Sequence, residues 1–592
     1  MSPGALRTLL GVSGAIAGLS YWAILDEGAL QGLPVSLQLF LSYLIIGAFP
    51  AFGLIAGPVP PTNAALRALA IAGFGAALVA WAGFRFEGLA DEHALEPTGE
   101  GLFIGPFLAL TSLLIPFAIA HAHAPIKWRD YTTLFDTAWS AVVKSVVTLL
   151  FVLLFWAVYM LSNALLELVG IGLLEDIAQE DWGWPALSGL VAGLSLAVTC
   201  ELDAVILTLR GLILRLLRLL LIPVTAVIAV FLVAVLVQGL GQVFRGFSAA
   251  ATMMLITAGA VTLIAAVLGH DDKDASDNRT LLLAARGLAL MLPVIAAIAV
   301  YAVWLRVDQY GWTPARLAAF IISLIVVAYA LPPAIFAVRA SVGWMHRIRT
   351  GFVAVVLGIV VAATLWFTPL LNAQRIAAND QFNRIMDGRV DVAEFNFWPL
   401  AREWGVAGLA RVDALRTEVD HPNATQIAQR IEATLNAKTR WQAANQTREV
   451  LASDLWQDLR DQLPTLPEGR TLPQVDNFGS HDTDTLERVQ RGCDISHPDG
   501  MPLCAAVFGN FLTDTPGEEV MIVAQTGPTA QPNAYLLLPG ADKYTAFRYV
   551  DTGRWADPAG LFPALHAGTY TIAPPAYHGI RIGEDELMPN FR

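Results

Sequence analysis

Residues Val142–Val169 read VVKSVVTLLFVLLFWAVYMLSNALLELV, with 22 uncharged residues between Lys144 and Glu167. At about 1.5 Å of rise per residue, that stretch coiled as a helix matches the roughly 30 Å hydrocarbon core of a bilayer. A helix is the form such a segment takes in lipid, because it satisfies its backbone N–H and C=O groups internally. Working outward, ten more runs of similar character surround it. They fall within Leu6–Leu25, Leu33–Ile55, Ala64–Phe84, Leu102–Ala122, Pro185–Leu202, Leu219–Leu240, Ser248–Leu268, Leu282–Leu305, Leu317–Val338 and Phe352–Leu371. The expectation is a mainly α, polytopic transmembrane helical bundle of about eleven spans. Arg7 and the apolar run after it resemble an export leader, but no small-residue cleavage pattern precedes Asp26-Glu27, so Leu6–Leu25 is read as a span.

Composition agrees. The chain has 592 residues, 55% of them hydrophobic and only 15% charged, with a mean hydropathy of +0.56. Soluble domains carry about 25% charged residues, so there is too little charge here to cover several water-facing domains. A cytosolic enzyme, a disordered chain and a disulfide-dense scaffold are excluded on this ground. The net charge of -13 is uneven: residues 1–371 hold 18 Lys+Arg and 21 Asp+Glu, and residues 372–592 hold 19 and 29. The first segment therefore reads as a transmembrane helical domain and the second as an acidic, water-facing one. Neither is basic enough to suggest nucleic acid.

The loops give an orientation, because Lys and Arg accumulate on the cytoplasmic side. With the N-terminus inside, that side receives 14 of them: Arg7, Arg67, Lys127, Arg129, Lys144, Arg210, Arg215, Arg218, Lys273, Arg279, Arg286, Arg339, Arg347 and Arg349. The other side receives 4, namely Arg85, Arg245, Arg306 and Arg316, and is instead acidic at Asp26-Glu27, Glu87–Glu100 and Glu175–Asp181. An odd number of spans carries residues 372–592 to the far side of the membrane, the periplasm in a Gram-negative cell. Cysteine usage points the same way. Cys493 and Cys504 frame a short loop containing Pro and Gly, as suits a disulfide in an oxidising compartment. A zinc site using His497 is the rival, and its spacing fits no standard pattern.

Residues 372–592 read as an α+β domain. Ile376, Phe382 and Ile385, then the stripes Leu400–Leu415, Ile427–Leu435 and Val450–Leu459, have helical spacing. After Pro464, Pro467 and Pro473 the texture becomes strand-like: Ala505–Phe511, Val520–Ala524, Ala534–Leu538, Phe547–Val550, Thr569–Ile572 and Ile580–Ile582. The oxygen-rich loop Gly509–Glu519 suggests a calcium loop, but Pro516 and the missing D-x-D-x-D-G spacing favour a hairpin with solvated acids.

In the membrane half the densest segment is Lys127-Trp128-Arg129-Asp130-Tyr131 through Trp139. Trp128 and Tyr131 suit the headgroup level, and Lys127 and Arg129 suit anionic phospholipids at the cytoplasmic face. It reads as an interfacial anchor, with a binding platform for a lipid headgroup or a partner as the sharper alternative. Arg210, Arg215 and Arg218 read as snorkelling arginines on the same leaflet. On the outer side Tyr310 and Trp312 suit an aromatic belt, with Thr313 as an N-cap and Pro314 as the first helical residue. Intramembrane ionisable residues, the default sign of transport, are sparse: Lys144, Glu167 and Arg286, with Glu201 and Asp203 at an inner edge. Gly14-Ala-Ile-Ala-Gly18 and Gly189-Leu-Val-Ala-Gly193 are small-residue faces, expected to pack within the chain. His121 and His123 point to opposite helix faces, and His270-Asp271-Asp272 reads as a solvated turn. No phosphate-binding, dinucleotide, zinc-protease or nucleophile-elbow motif occurs, so no cofactor and no catalytic residue is assigned.

Trp128–Asp136 with Ala138-Trp139, the long helix through Leu168-Val-Gly170-Ile-Gly172, and Tyr310-Gly-Trp-Thr-Pro314 together resemble a bacterial family, the domain of unknown function (DUF) 4153. The likeness runs over most of residues 100–420. It implies a bacterial inner-membrane protein and supplies no catalytic residues. The function expected is an envelope sensing, scaffolding or binding component, with a periplasmic protein partner for the exported domain. The alternative is a transporter of a small or lipidic solute with that domain as an accessory gate.

Overall fold

A computed structural model describes residues 2–25, 33–86, 101–239, 249–272, 274–276, 278–339, 343–392, 395–475, 478–479, 482–498, 500–512, 517–539, 544–550, 557–572, 580–582 and 585–587. The acidic loops at Asp26-Glu27 and Glu87–Glu100, together with Arg245, Lys273 and residues 513–516 of the oxygen-rich loop, lie outside the described residues. The chain forms two compact units, residues 1–389 with 402–413, and residues 390–401 with 414–592.

The first unit is helical. Its helices are α1 (Pro3–Leu25), α2 (Val35–Ile55), α3 (Pro61–Gly83), α4 (Ile104–His123), α5 (Tyr131–Glu167), α6 (Leu173–Gln179) and α7 (Gly183–Glu201). They are followed by α8 (Asp203–Gln238), α9 (Ala249–Leu268), α10 (Arg279–Tyr310), α11 (Pro314–Arg339), α12 (Trp344–Phe367) and α13 (Ala373–Met386). Among the described residues ten helices are long and apolar enough to cross a membrane: α2 to α5 and α7 to α12. The remaining expected span, Leu6–Leu25, is the 23-residue helix α1.

The glycine faces explain where α1 goes. A Cβ on Gly14 would lie 2.0 Å from the Gly189 carbonyl oxygen, and one on Gly193 would lie 2.0 Å from that of Leu10. As α1 advances from Leu10 to Gly18, its partners on α7 recede from Gly193 to Pro185. The two helices are therefore antiparallel, with backbones in contact through small residues.

The second half of this unit packs around a core shared by α8 to α12, including Leu221, Ile264, Leu292, Ala296, Ala330 and Ile348. Helix α13 has the polar composition of the water-facing segment, yet it belongs to the helical unit. Asp380 accepts a hydrogen bond from the Trp312 backbone N–H (2.7 Å), and Gln381 Nε2 donates to the carbonyls of Tyr310 and Trp312 (3.0 and 3.1 Å). Arg384 donates to the carbonyls of Asp308 and Gln309, two more of the acceptors in the last turn of α10. Gly311 at φ 76° makes the turn between them.

The second unit is α+β. Strands β2 (Cys504–Gly509), β3 (Glu519–Ala524), β4 (Asn533–Pro539) and β5 (Tyr544–Val550) form an antiparallel sheet in sequence order, with two-residue β1 (Thr465–Leu466) parallel to the edge of β2. Strand β2 is buried along its whole length because both faces are covered. Ala506 and Phe508 face Trp456 of α16 (Arg440–Gln462) and Leu486 and Val489 of α17 (Asp482–Asp494). Ala505 and Val507 face Phe562 and Leu565 of the short α18 (Leu561–His566). Before the sheet come α14 (Gly405–Thr417), which begins in the first unit, and α15 (Ala424–Asn436). The strand expected over Thr569–Ile572 is absent. Gly568 at φ 68° ends α18, and the Thr569 N–H turns back to the Ala564 carbonyl (3.0 Å), which leaves no extended register for a ladder. Ile580–Ile582 is strand β6, paired with β7 (Asp585–Leu587).

Candidate functional site

Where α5 begins, Asp130 accepts from the backbone N–H and the hydroxyl of Thr133 (3.2 and 3.0 Å), a side-chain N-cap. The helix then runs 37 residues, about 55 Å at the usual rise, which is longer than the hydrocarbon core is thick. Its first turns follow directly on the aromatic segment Lys127–Asp130. Trp128 packs edge-on against Phe117 of α4 at 5.8 Å, and the Arg129 guanidinium sits 4.2 Å from the centre of the Trp128 ring.

The turn between α9 and α10 closes on this segment. Thr132 donates to the His270 carbonyl (3.2 Å). Arg218 of α8 donates to the Ala266 and Asp274 carbonyls (2.7 and 2.8 Å). Arg349 of α12 is 4% exposed and pairs with Asp272 (2.6 Å) while donating to the carbonyl of Asp271 (2.8 Å) and that of Leu268. Asp271 Oδ1 accepts the Asp274 N–H (2.8 Å), and His270 Nδ1 lies 3.3 Å from the Asp274 carboxylate. Three helices thus hold one short polar turn by its carbonyls, which are the acceptors a helix C-terminus leaves open.

These groups surround a polar hollow of about 410 Å³, lined among others by Arg129, Asp130, His270, Asp272, His346 and Arg349. Against it lies an apolar chamber of about 380 Å³ between α4, α5, α9, α11 and α12. Tyr131 and Val353 belong to the walls of both. Aromatic rings of Phe117, Phe135, Trp139, Tyr329 and Phe352 dominate the chamber. Its threonines do not make it polar: Thr257 donates to the Met253 carbonyl (2.8 Å) and Thr262 to that of Ala258 (2.9 Å), each within its own helix. The cleft therefore has a charged mouth and a hydrocarbon-like floor.

The residues singled out in the sequence are only partly brought together. Arg129 and Tyr131 line the cleft, and Arg218 braces its rim. Lys127 is exposed, and Arg210 bridges α8 to Asp136 of α5 at 2.9 Å, while Arg215 is exposed. Lys144 is buried at the other side of α5, with Nζ 3.6 Å from Cys200 Sγ. Glu167 is exposed, and Arg286 stacks on the Trp344 ring at 4.8 Å. Tyr310 lies between Arg306 and Arg316, and Trp312 packs against Trp304 and Phe320. Cys493 and Cys504 are joined as a disulfide with Cα atoms 5.0 Å apart. The turn at His270-Asp271-Asp272 is part-exposed and lines the cleft, as do Arg349, which the sequence offers only as an orientation charge, and His346, for which it offers no sign. The local signal was faint: three polar residues in a row within a charge-poor half.

A hollow in the second unit, about 460 Å³ near Arg460, Arg470 and His566, is less suited to a ligand. Its arginines are committed, Arg460 to the Leu472 carbonyl (3.1 Å) and Arg470 to Glu518.

Residues 36–397, more than half of the chain, match the family described as Domain of unknown function (DUF4153). The chain belongs to that family. No curated protein and no solved structure matches it. The matched residues of this DUF4153 protein include every group that lines the cleft and end before the sheet of the second unit. The family match and the ten long apolar helices among the described residues support a polytopic membrane protein.

Proposed function

We propose that this DUF4153 protein is an inner-membrane binding component that takes an amphipathic, lipid-like ligand into the cleft. The carrying observation is that the charged mouth and the apolar chamber share Tyr131 and Val353 in their walls. A hydrophilic solute would lose its hydration against a wall that is mostly aromatic and aliphatic, where both threonine hydroxyls already donate within their own helices. A hydrocarbon chain gains about 0.8 kcal/mol for each buried methylene, and its polar end stays among polar groups. Of the transport readings, a small or a lipidic solute, the cleft favours carriage of a lipidic one between leaflets, which would use the same walls.

The orientation proposed puts the N-terminus and the cleft mouth in the cytoplasm and the second unit in the periplasm. Its support is the division of 14 Lys and Arg against 4 between alternate loops. The Cys493–Cys504 disulfide adds to it, since such bonds persist in oxidising compartments. In that setting the second unit is an envelope sensing or docking domain. Reporters active only in the periplasm should work when fused after residue 372 and fail when fused near Lys273, and the reverse pattern would reject this orientation.

The binding reading is tested with an uncharged amphiphile. Purified protein in non-ionic detergent is melted with increasing monooleoylglycerol, alongside variants that fill the chamber, Ala138→Phe and Ala265→Phe. The native chain should gain thermal stability and the filled variants should not. A native melt that ignores the amphiphile would sink the proposal.

A further inference from the structure

From the groups around the mouth we infer that the ligand's polar end is zwitterionic, a phosphodiester carrying an ammonium group, as in the headgroups of ethanolamine or choline phospholipids. The inference rests on the binding reading above and adds the chemistry of the headgroup.

The phosphate side is given by donors with capacity to spare. Arg129 lies at 4.2 Å over the Trp128 ring, a stacking that leaves the N–H groups on the edge of its guanidinium plane available to a planar or tetrahedral anion. His346 lines the mouth, is exposed, and adds a ring nitrogen beside it. Arg349, 4% exposed and lining the same mouth, has a buried Nε with no hydrogen-bond partner among the described residues. A buried donor without an acceptor is destabilising, and a seated phosphate oxygen is the kind of group that relieves it.

The ammonium side is given by the acids. The mouth holds two arginines and three aspartates, a balance of fixed charges that does not single out a purely anionic head. Asp130 is occupied as the N-cap of α5, and Asp271 Oδ1 is bonded within the turn. Asp272 contributes one oxygen to Arg349, and its side chain is 74% exposed. Asp272 therefore faces the mouth as a carboxylate that a mobile ammonium group can reach. Donors on the segment before α5 and on α12, with a carboxylate on the α9–α10 turn, complement a dipolar head.

The test compares amphiphiles that share one oleoyl chain and differ only at the head: lysophosphatidylethanolamine, lysophosphatidylcholine, lysophosphatidylglycerol and monooleoylglycerol. Affinities are measured on the full-length protein in non-ionic detergent. The two zwitterions should bind about 10-fold more tightly than the neutral and the anionic lipids, a difference of about 1.4 kcal/mol. Arg129→Gln should bring the zwitterions down to the neutral lipid. Asp272→Asn should remove their advantage over the anionic lipid, and a melting curve of each variant without lipid reports whether the fold survives. Equal binding of all four heads by the native protein would overturn the headgroup assignment and leave the binding reading intact. No binding of any head would reject the binding reading itself. An undiminished preference in a folded Arg129→Gln protein would also overturn the assignment. Tighter binding of the ethanolamine than of the choline head would identify a hydrogen-bonded ammonium, and parity would identify a purely electrostatic one.

Discussion

Gly14 and Gly189 interlock reciprocally: a Cβ on either would stand 2.0 Å from the carbonyl oxygen of the other. No side chain fits without driving α1 and α7 apart. Lipid supplies no hydrophobic drive to reunite them, because hydrocarbon tails are as apolar as the helices. Gly14→Leu or Gly189→Leu should therefore destabilise the helical unit by about 3 kcal/mol or more, the upper range for overpacking. Gly73, with nothing within 4 Å of its would-be Cβ, provides the control, and Gly73→Ala should leave the melting temperature in detergent unchanged or slightly higher. Equal melting of all three variants would contradict the interlock.

Arg349 holds the α9–α10 turn by the Leu268 and Asp271 carbonyls as well as by Asp272. Arg349→Met should free these acceptors at a loss of about 3 kcal/mol, the usual effect of removing one member of a buried charged network. Backbone amides of residues 269–275 should then exchange hydrogen faster than those at the opposite end of the unit. Arg349→Lys keeps the charge without the planar fork and should recover less than half of the loss.

Asp380 accepts the Trp312 N–H at 2.7 Å beside the carbonyls held by Gln381 and Arg384. Asp380→Ala leaves that amide without its acceptor, which should destabilise by about 1–3 kcal/mol. Limited proteolysis should then cut more readily around residues 386–389, and an unchanged cleavage rate would argue that α13 is held by other contacts.

The bridge between Cys493 at the end of α17 and Cys504 at the start of β2 closes a loop of 11 residues in sequence separation. Replacing both by Ser should lower the stability of the second unit by about 2–4 kcal/mol. Alkylation of the unfolded native chain should label Cys200 alone until a reductant is added, since Cys200 lies outside the disulfide.

Acid should favour one position in the second unit. Partial burial, and secondarily repulsion from Asp458, raises the Asp454 carboxyl above its ordinary value of 3.8. A raised carboxyl binds its proton more tightly in the folded chain, so its stabilising contribution is full below the ordinary value and is lost as pH rises through the raised one. Asp454→Asn should then stabilise slightly at pH 7, by no more than about 0.5 kcal/mol for so solvated a pair. The gain should vanish near pH 3, and a gain that persists there would point to packing instead of charge.

Much of this fold is written in local sequence. The long apolar runs, the two glycine faces and the paired cysteines each carry their structural outcome within about twenty residues. The cleft does not. Its mouth joins Arg129, Asp272 and Arg349, far apart in the chain and on three different segments, so no periodicity brings them together. The His270 turn stays part-exposed, as a polar turn after an apolar helix normally is, and its sequence carries no sign that Arg218 and Arg349 hold its carbonyls. Helix α13 shows the converse limit. Composition marks where a chain leaves lipid at about residue 371, whereas packing unites residues through 389 because Asp380, Gln381 and Arg384 reach back to the α10 terminus.

The arginines that clasp helix ends have a consequence for biogenesis. In the proposed orientation Arg218 and Arg349 are among the positive residues that would hold loops on the cytoplasmic side during insertion, while their guanidinium groups are still hydrated. In the finished protein the same two are withdrawn from water and bonded to the turn between α9 and α10. On that orientation they would act in succession, first as address labels and then as mortar, with insertion of α8 to α12 before closure of the cleft. A charge-preserving substitution at either position should leave the direction of insertion unaltered and slow only the later step of assembly.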